Sequence, residues 1–220
     1  MRIRNIMTSG AVLLLAVSVG FGGRYIQPQK YGTLPEAVKN GDLEDVKRHL
    51  EKGADINAED QNSLTPLHLA VLNHHKEVAE LLVARGADIE APNMFGRTPL
   101  HLAAGDGFNA VVELFVAKGA AVDPMDDEDK TPLHLAADKG RTVAAELLIA
   151  KGARVNAKDS EEWTPLHFAA RGGYTDVARL LIAKGADINA ETFDLETALQ
   201  LAQGKGHTEM VALLKRNGAR

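Results

Sequence analysis

The tetrapeptide Thr-Pro-Leu-His occurs four times, at residues 65–68, 98–101, 131–134 and 164–167, and each occurrence lies 33 residues after the one before. Three further columns keep the same step. Glycine recurs at 53, 86, 119, 152, 185 and 218, and alanine at 37, 70, 103, 136, 169 and 202. A second glycine column runs through 41, 107, 140, 173 and 206, with His74 as its one departure. A chain whose columns stay in phase this long is a stack of equivalent units, each too small to bury its apolar face alone.

The residue types in the columns predict what one unit is: two short antiparallel helices followed by a protruding loop. Thr65 is an N-cap, Pro66 stands at the first helical position where its missing N–H costs nothing, and Leu67 begins the buried face. Ala70 and its equivalents keep this first helix thin enough to nest against its neighbours. Position 74 and its equivalents turn the chain. Segments such as Val177-Ala-Arg-Leu-Leu181 then repeat apolar side chains at helical spacing. Glu77, Asp176 and Glu209 open that second helix, and Lys52, Arg85, Lys118, Lys151 and Lys184 close it, the charge order the helix dipole favours. The glycine that follows supplies a left-handed turn. Beyond it, segments such as 54–58 run extended to a polar tip.

This pattern, T-P-L-H-x-A at a 33-residue period, resembles the ankyrin repeat. The resemblance covers residues 32–220 and implies an all-α solenoid of about six stacked helix-turn-helix repeats: 32–64, 65–97, 98–130, 131–163, 164–196 and 197–220. The first repeat has Gly32-Thr-Leu-Pro35 in place of the motif, and the last has Ala198 and Gln200 in place of Pro and His. Such departures suit outer repeats, which meet water on one side. The resemblance also implies that His68, His101, His134 and His167 are structural, each bonded to its own threonine and to the adjacent repeat, and are neither metal ligands nor acid–base groups.

The same resemblance places partner binding on the loop tips and the inner end of the first helices. Carried over position by position, this names Leu64, Leu72, Met94, Phe95, Arg97, Asp127, Lys130, Asp138, Lys139, Trp163, Arg171 and Phe193 as candidate partner-binding residues. Nothing in the scaffold calls for Phe95, Trp163 or Phe193 at tips, and aromatics and arginine are the usual anchors of a protein interface. The run Asp126–Asp129 reads as a solvated loop.

Composition narrows the function classes. The 220 residues contain no cysteine, which removes disulfide scaffolds, thiolate zinc sites and cysteine nucleophiles. The net charge is −5, and the first 24 residues hold three arginines and no acid, so the rest of the chain is more acidic still. An acidic body without a basic stripe argues against a nucleic-acid ligand. No Ser-His-Asp, HExxH or Walker pattern is present. Gly105-Asp-Gly107-Phe-Asn-Ala110 loosely fits a dinucleotide fingerprint but falls at the turn between paired helices. His74-His75, with His49 as a distant third, point to different faces and read as a surface pair. No enzyme, cofactor or metal is expected.

Residues 1–23 place Arg2 and Arg4 before the apolar run 11–17 and end in small residues, the order of a secretory signal. Residues 24–31 read as a linker. The expected function is therefore non-catalytic binding of a partner protein outside the cytoplasm, periplasmic or secreted. The alternative is a membrane-tethered adaptor that retains its N-terminal segment as an anchor, since 5–23 carries no charge and approaches the length that spans a bilayer.

Overall fold

In the computed structural model residues 30–220 are described, so the signal reading and most of the linker fall outside the described residues. Each Thr-Pro step begins a helix, and each unit holds two: α1 Leu34–Lys39 and α2 Leu43–Glu51, α3 Pro66–Leu72 and α4 Lys76–Ala84, α5 Pro99–Asp106 and α6 Asn109–Ala117. The series continues with α7 Pro132–Asp138 and α8 Thr142–Ala150, α9 Pro165–Gly172 and α10 Thr175–Ala183, α11 Ala198–Gly204 and α12 Thr208–Arg216. There is no strand among the described residues; Glu191 and Thr197 form one isolated bridge. The odd-numbered helices pack in sequence to form one wall, and the even-numbered helices form the other. The architecture is an all-helical solenoid.

The alanine column explains how the walls stack. Ala37, Ala70, Ala103, Ala136, Ala169 and Ala202 are all fully buried, 0% exposed, so any longer side chain there would push successive odd helices apart. Leu67, Leu100, Leu133 and Leu166 fill the space beside them, while Leu82, Phe115, Leu148, Leu181 and Leu214 supply the even helices' share of one continuous core. The entry to the stack differs from the repeat register by one residue. Thr33 accepts a hydrogen bond from Glu36 N at 3.3 Å, so α1 starts at Leu34 and Pro35 takes its second position.

A second, finer column locks the turns together. The even helices after the first have no side-chain N-cap bond. The residues at that place reach back to the preceding repeat: His75 lies over Gly41, Arg141 over Gly107, Tyr174 over Gly140 and His207 over Gly173. Three of them donate to carbonyls at the end of the preceding first helix, His75 Nε2 to Lys39 O at 3.0 Å, Arg141 Nε to Gly105 O at 3.1 Å and His207 Nε2 to Arg171 O at 3.0 Å. A helix end leaves such carbonyls without an intrahelical partner, so these bonds satisfy them. His75 is therefore half-buried and engaged rather than one of a loose surface pair. His74 has φ 56° and its ring lies 5.0 Å from Phe108.

Candidate partner-binding surface

The histidines of the motif are built into the stack. In each, Nδ1 accepts the N–H of its own threonine: Thr65 to His68 at 3.2 Å, Thr98 to His101 at 3.1 Å, Thr131 to His134 and Thr164 to His167 at 3.0 Å. An accepting Nδ1 leaves the proton on Nε2, which donates not to the adjacent repeat but to the loop that closes its own: to Arg97 O at 3.1 Å, Lys130 O at 2.9 Å, Trp163 O at 3.1 Å and Ala190 O at 2.9 Å. Burial pushes the pKa of all four imidazoles down, against the opposing effect of the carbonyls they meet. With both ring nitrogens occupied, none can move a proton to or from a ligand. Gln200 keeps the inner half of this arrangement, its Oε1 accepting from Thr197 N at 2.8 Å.

The loops project from this ladder in a fixed shape. Asp126 is buried; its Oδ1 accepts from Glu128 N at 3.0 Å and Lys130 N at 2.9 Å, and its Oδ2 from Arg97 Nε at 2.9 Å. Asp60, Asn93 and Asp159 tie their own loops in the same way. The expectation of a solvated 126–129 run thus holds for Asp127, Glu128 and Asp129, which are exposed, and fails for Asp126, which staples the loop. Consecutive tips are joined by Met94 N to Asn62 O, Asp127 N to Phe95 O, Ser160 N to Glu128 O and Phe193 N to Glu161 O, at 3.0–3.1 Å. The tips form one continuous edge.

Between the tips and the odd helices lies a cleft of about 260 Å³, lined from α5, α7 and α9. Arg97, Lys130, Asp138, Lys139 and Arg171, five of the residues named from sequence, meet there. Arg171 Nη2 donates to Asp138 at 2.8 Å, and Lys139 Nζ lies 3.2 Å from the same carboxylate. Burial works against the Asp138 anion, but the bonds from Arg171 and Lys139 outweigh it and hold its carboxyl below the usual range. The Arg171 guanidinium also lies 4.8 Å from the Trp163 ring centroid and 5.0 Å from that of Phe168, with Lys130 Nζ 5.5 Å from Phe168. Arg97 pairs with Asp126 and Lys130 with Glu128. Inside the cleft every cation has its carboxylate.

The remaining named residues are spread along the surface. Leu72, Met94, Phe95 and Phe193 are exposed, as is Asp127, while Leu64 is half-buried against the core. Trp163 is not a free tip. It is half-buried, 5.2 Å from Phe168 and 5.9 Å from His167, because its position directly precedes the Thr-Pro step and leans onto the first helix. Phe168 was not named from sequence. It occupies the column of Leu69, Leu102 and Leu135, and the one signal available was an aromatic in an aliphatic series. The loose dinucleotide pattern lies on the end of α5, with Gly107 as its left-handed C-cap. Among the described residues no group of three His, Cys, Asp or Glu is placed to hold a metal ion.

Comparison with known proteins agrees with this geometry. A family model described as ankyrin repeats, in three copies, matches residues 34–126, 85–159 and 103–192. Over 59 residues, 27% of this chain, the sequence is 41% identical to protein phosphatase 1 regulatory subunit 27 of Mus musculus and 40% identical to that of Homo sapiens. The match spans 38% of the length of these relatives.

Proposed function

Because this chain belongs to the ankyrin-repeat family, we propose that it is a non-catalytic module that binds a partner protein through the α5–α7–α9 cleft and the adjoining tips, outside the cytoplasm. The observation that carries the reading is the packing of Arg171 over Trp163 and Phe168 at the mouth of the cleft. Of these, Arg171 and Trp163 are partly exposed and belong to the side-chain types that most often dominate binding energy at protein interfaces. The buried histidines beside it are committed to the scaffold, each bonded through Nε2 to a backbone carbonyl. Fifty-nine matched residues amount to less than two 33-residue repeats, whose columns recur in any such pair, so phosphatase regulation is not part of the proposal.

The compartment rests on residues 1–23, whose basic, apolar and small-residue segments follow one another as in a secretory signal. N-terminal sequencing of the mature chain tests it: a start near residue 21 or 23 supports export with cleavage, and an intact Met1 in a membrane fraction supports the tethered alternative. A photo-crosslinking amino acid at Asp106, in the cleft, and another at exposed Val143 on α8 test the surface. A partner crosslinked in cells from position 106, not from 143, and lost on Arg171→Ala is the expected result. Equal crosslinking from both positions would sink the assignment.

A further inference from the structure

Phe193 and Leu195 stand at the fifth tip, 75% and 70% exposed, the most exposed large apolar side chains among the described residues. The scaffold asks for neither. The column of Phe193 otherwise holds Gln61, Met94, Asp127 and Ser160, and that of Leu195 holds Ser63, Gly96, Asp129 and Glu162. Leu195 moreover sits at φ 61°, the left-handed region where a branched side chain is disfavoured and glycine is at ease. An apolar side chain that costs backbone energy and covers nothing within its own chain contributes to the fold neither by burial nor by conformation.

The charges around this pair differ from those of the cleft. On the same edge the exposed carboxylates Asp127, Asp129, Glu161, Asp194 and Glu196 have no ion-pair partner among the described residues. The two lysines nearest by sequence are already engaged, Lys130 by Glu128 and Lys158 by Glu162. The backbone bonds from tip to tip hold these carboxylates in one row ending at Phe193. A row of uncompensated negative charge beside an exposed apolar pair is complementary to one kind of surface, positive charge flanking apolar side chains.

We infer that the edge formed by the last three tips is a docking strip for a cationic amphipathic segment of a partner protein, with Phe193 and Leu195 as its apolar anchor. This rests on the reading of the chain as a protein-binding module and adds the chemistry of what is bound. The cleft, whose charges are matched internally, contributes shape and aromatic contact; the strip contributes charge selection. Association is accordingly salt-sensitive, because the participating carboxylates are exposed.

The test uses the full chain and three labelled peptides of equal length: one alternating faces of Leu and Lys, the same with Glu for Lys, and the Lys peptide with Leu replaced by Ser. Fluorescence polarisation at low and moderate salt is the readout. The Leu/Lys peptide is expected to bind most tightly and to weaken at least tenfold on F193S with L195G, and again on E161K with D194K. The control pair E113K with E146K, exposed on α6 and α8, should leave it unchanged. Equal binding by the Glu peptide, or equal loss in the control pair, overturns the inference. Self-association in light scattering that L195G abolishes overturns it too, since a second copy would then own the strip. W163A tested against the same peptide separates the two readings: retained peptide binding alongside lost crosslinking at position 106 leaves the strip standing apart from the cleft.

Discussion

His134 donates from Nε2 to the backbone carbonyl of Trp163 across 3.1 Å, joining the helix that begins one repeat to the loop that ends it and delivers the chain into the next. The same nitrogen lies 3.0 Å from Ala157 O, and Nδ1 is held by Thr131 N at 3.0 Å. A single neutral imidazole thus satisfies one donor and two acceptors at the foot of a loop whose far end is the candidate binding surface. The scaffold column and the partner surface meet at this pair.

Replacing His134 with alanine orphans those groups in a fully buried place and is expected to cost about 1–3 kcal/mol of stability, the usual penalty for unsatisfied buried partners. His134→Gln should recover part of the loss, because Gln200 shows that an amide oxygen serves the threonine N–H equally well. Urea unfolding of the two variants beside the parent chain measures both. An alanine variant as stable as the parent would mean the bonds from helix to closing loop carry no weight.

Acid should act through all four motif histidines at once. Burial depresses their folded pKa below the unfolded value of 6.5, so below that pH the unfolded chain binds more protons than the folded one. Stability is then full above about pH 6.5 and falls as the pH drops from there toward the folded pKa. By pH 5.5 each histidine can remove up to about 1.4 kcal/mol, the worth of one pH unit. Unfolding midpoints at pH 7.5 and 5.5 should differ accordingly, and His101→Gln should shrink the difference. A midpoint that rises on acidification would reverse the sign of the argument.

For Trp163 the sequence and the structure give different numbers. Read as a free tip it would cost about 0.5 kcal/mol on truncation to alanine, the ordinary surface value. Packed half-buried on Phe168 and His167, with Arg171 above it, it should cost about 1–3 kcal/mol, below the range of a fully buried aromatic. Partner binding should weaken by about 2 kcal/mol or more on the same change. Measuring unfolding and affinity on one variant distinguishes an interface residue with a structural share from a purely structural one, which would leave affinity intact.

This pair of numbers marks how far the sequence could be read. Period, helix starts, caps and the buried alanine column follow from residue types whose conformational demands are local, so Thr65-Pro66 or Gly86 announces its role without its neighbours. Contacts between one repeat and the next are another matter. That Arg141 would lie over Gly107, or Asp126 accept from Arg97, depends on how one unit is rotated on the next, and no local preference encodes that rotation. The loop staple was nonetheless visible as a column, Asp60, Asn93, Asp126 and Asp159, masked by the acidic run around its third member.

The glycines at the turns offer a comparison in which local and non-local terms separate. Gly140 and Gly206 have nearly the same backbone, φ 65° and 75°, so a side chain at either pays the same left-handed penalty, about 1 kcal/mol for alanine. Their surroundings differ. An added Cβ at Gly140 runs into the Tyr174 ring of the following repeat, while at Gly206, in the last repeat, there is nothing within 4 Å. Gly206→Ala is therefore expected to destabilise by about 1 kcal/mol, and Gly140→Ala by about 1–3 kcal/mol more, the typical cost of overpacking a well-filled site. Tyr174→Ala introduced with Gly140→Ala should remove the clash and bring the added cost of the glycine change down to the Gly206 value, read as a double-mutant cycle in urea. Equal losses at 140 and 206 without Tyr174→Ala would show that the ring swings aside freely, and that this column does not lock the turns.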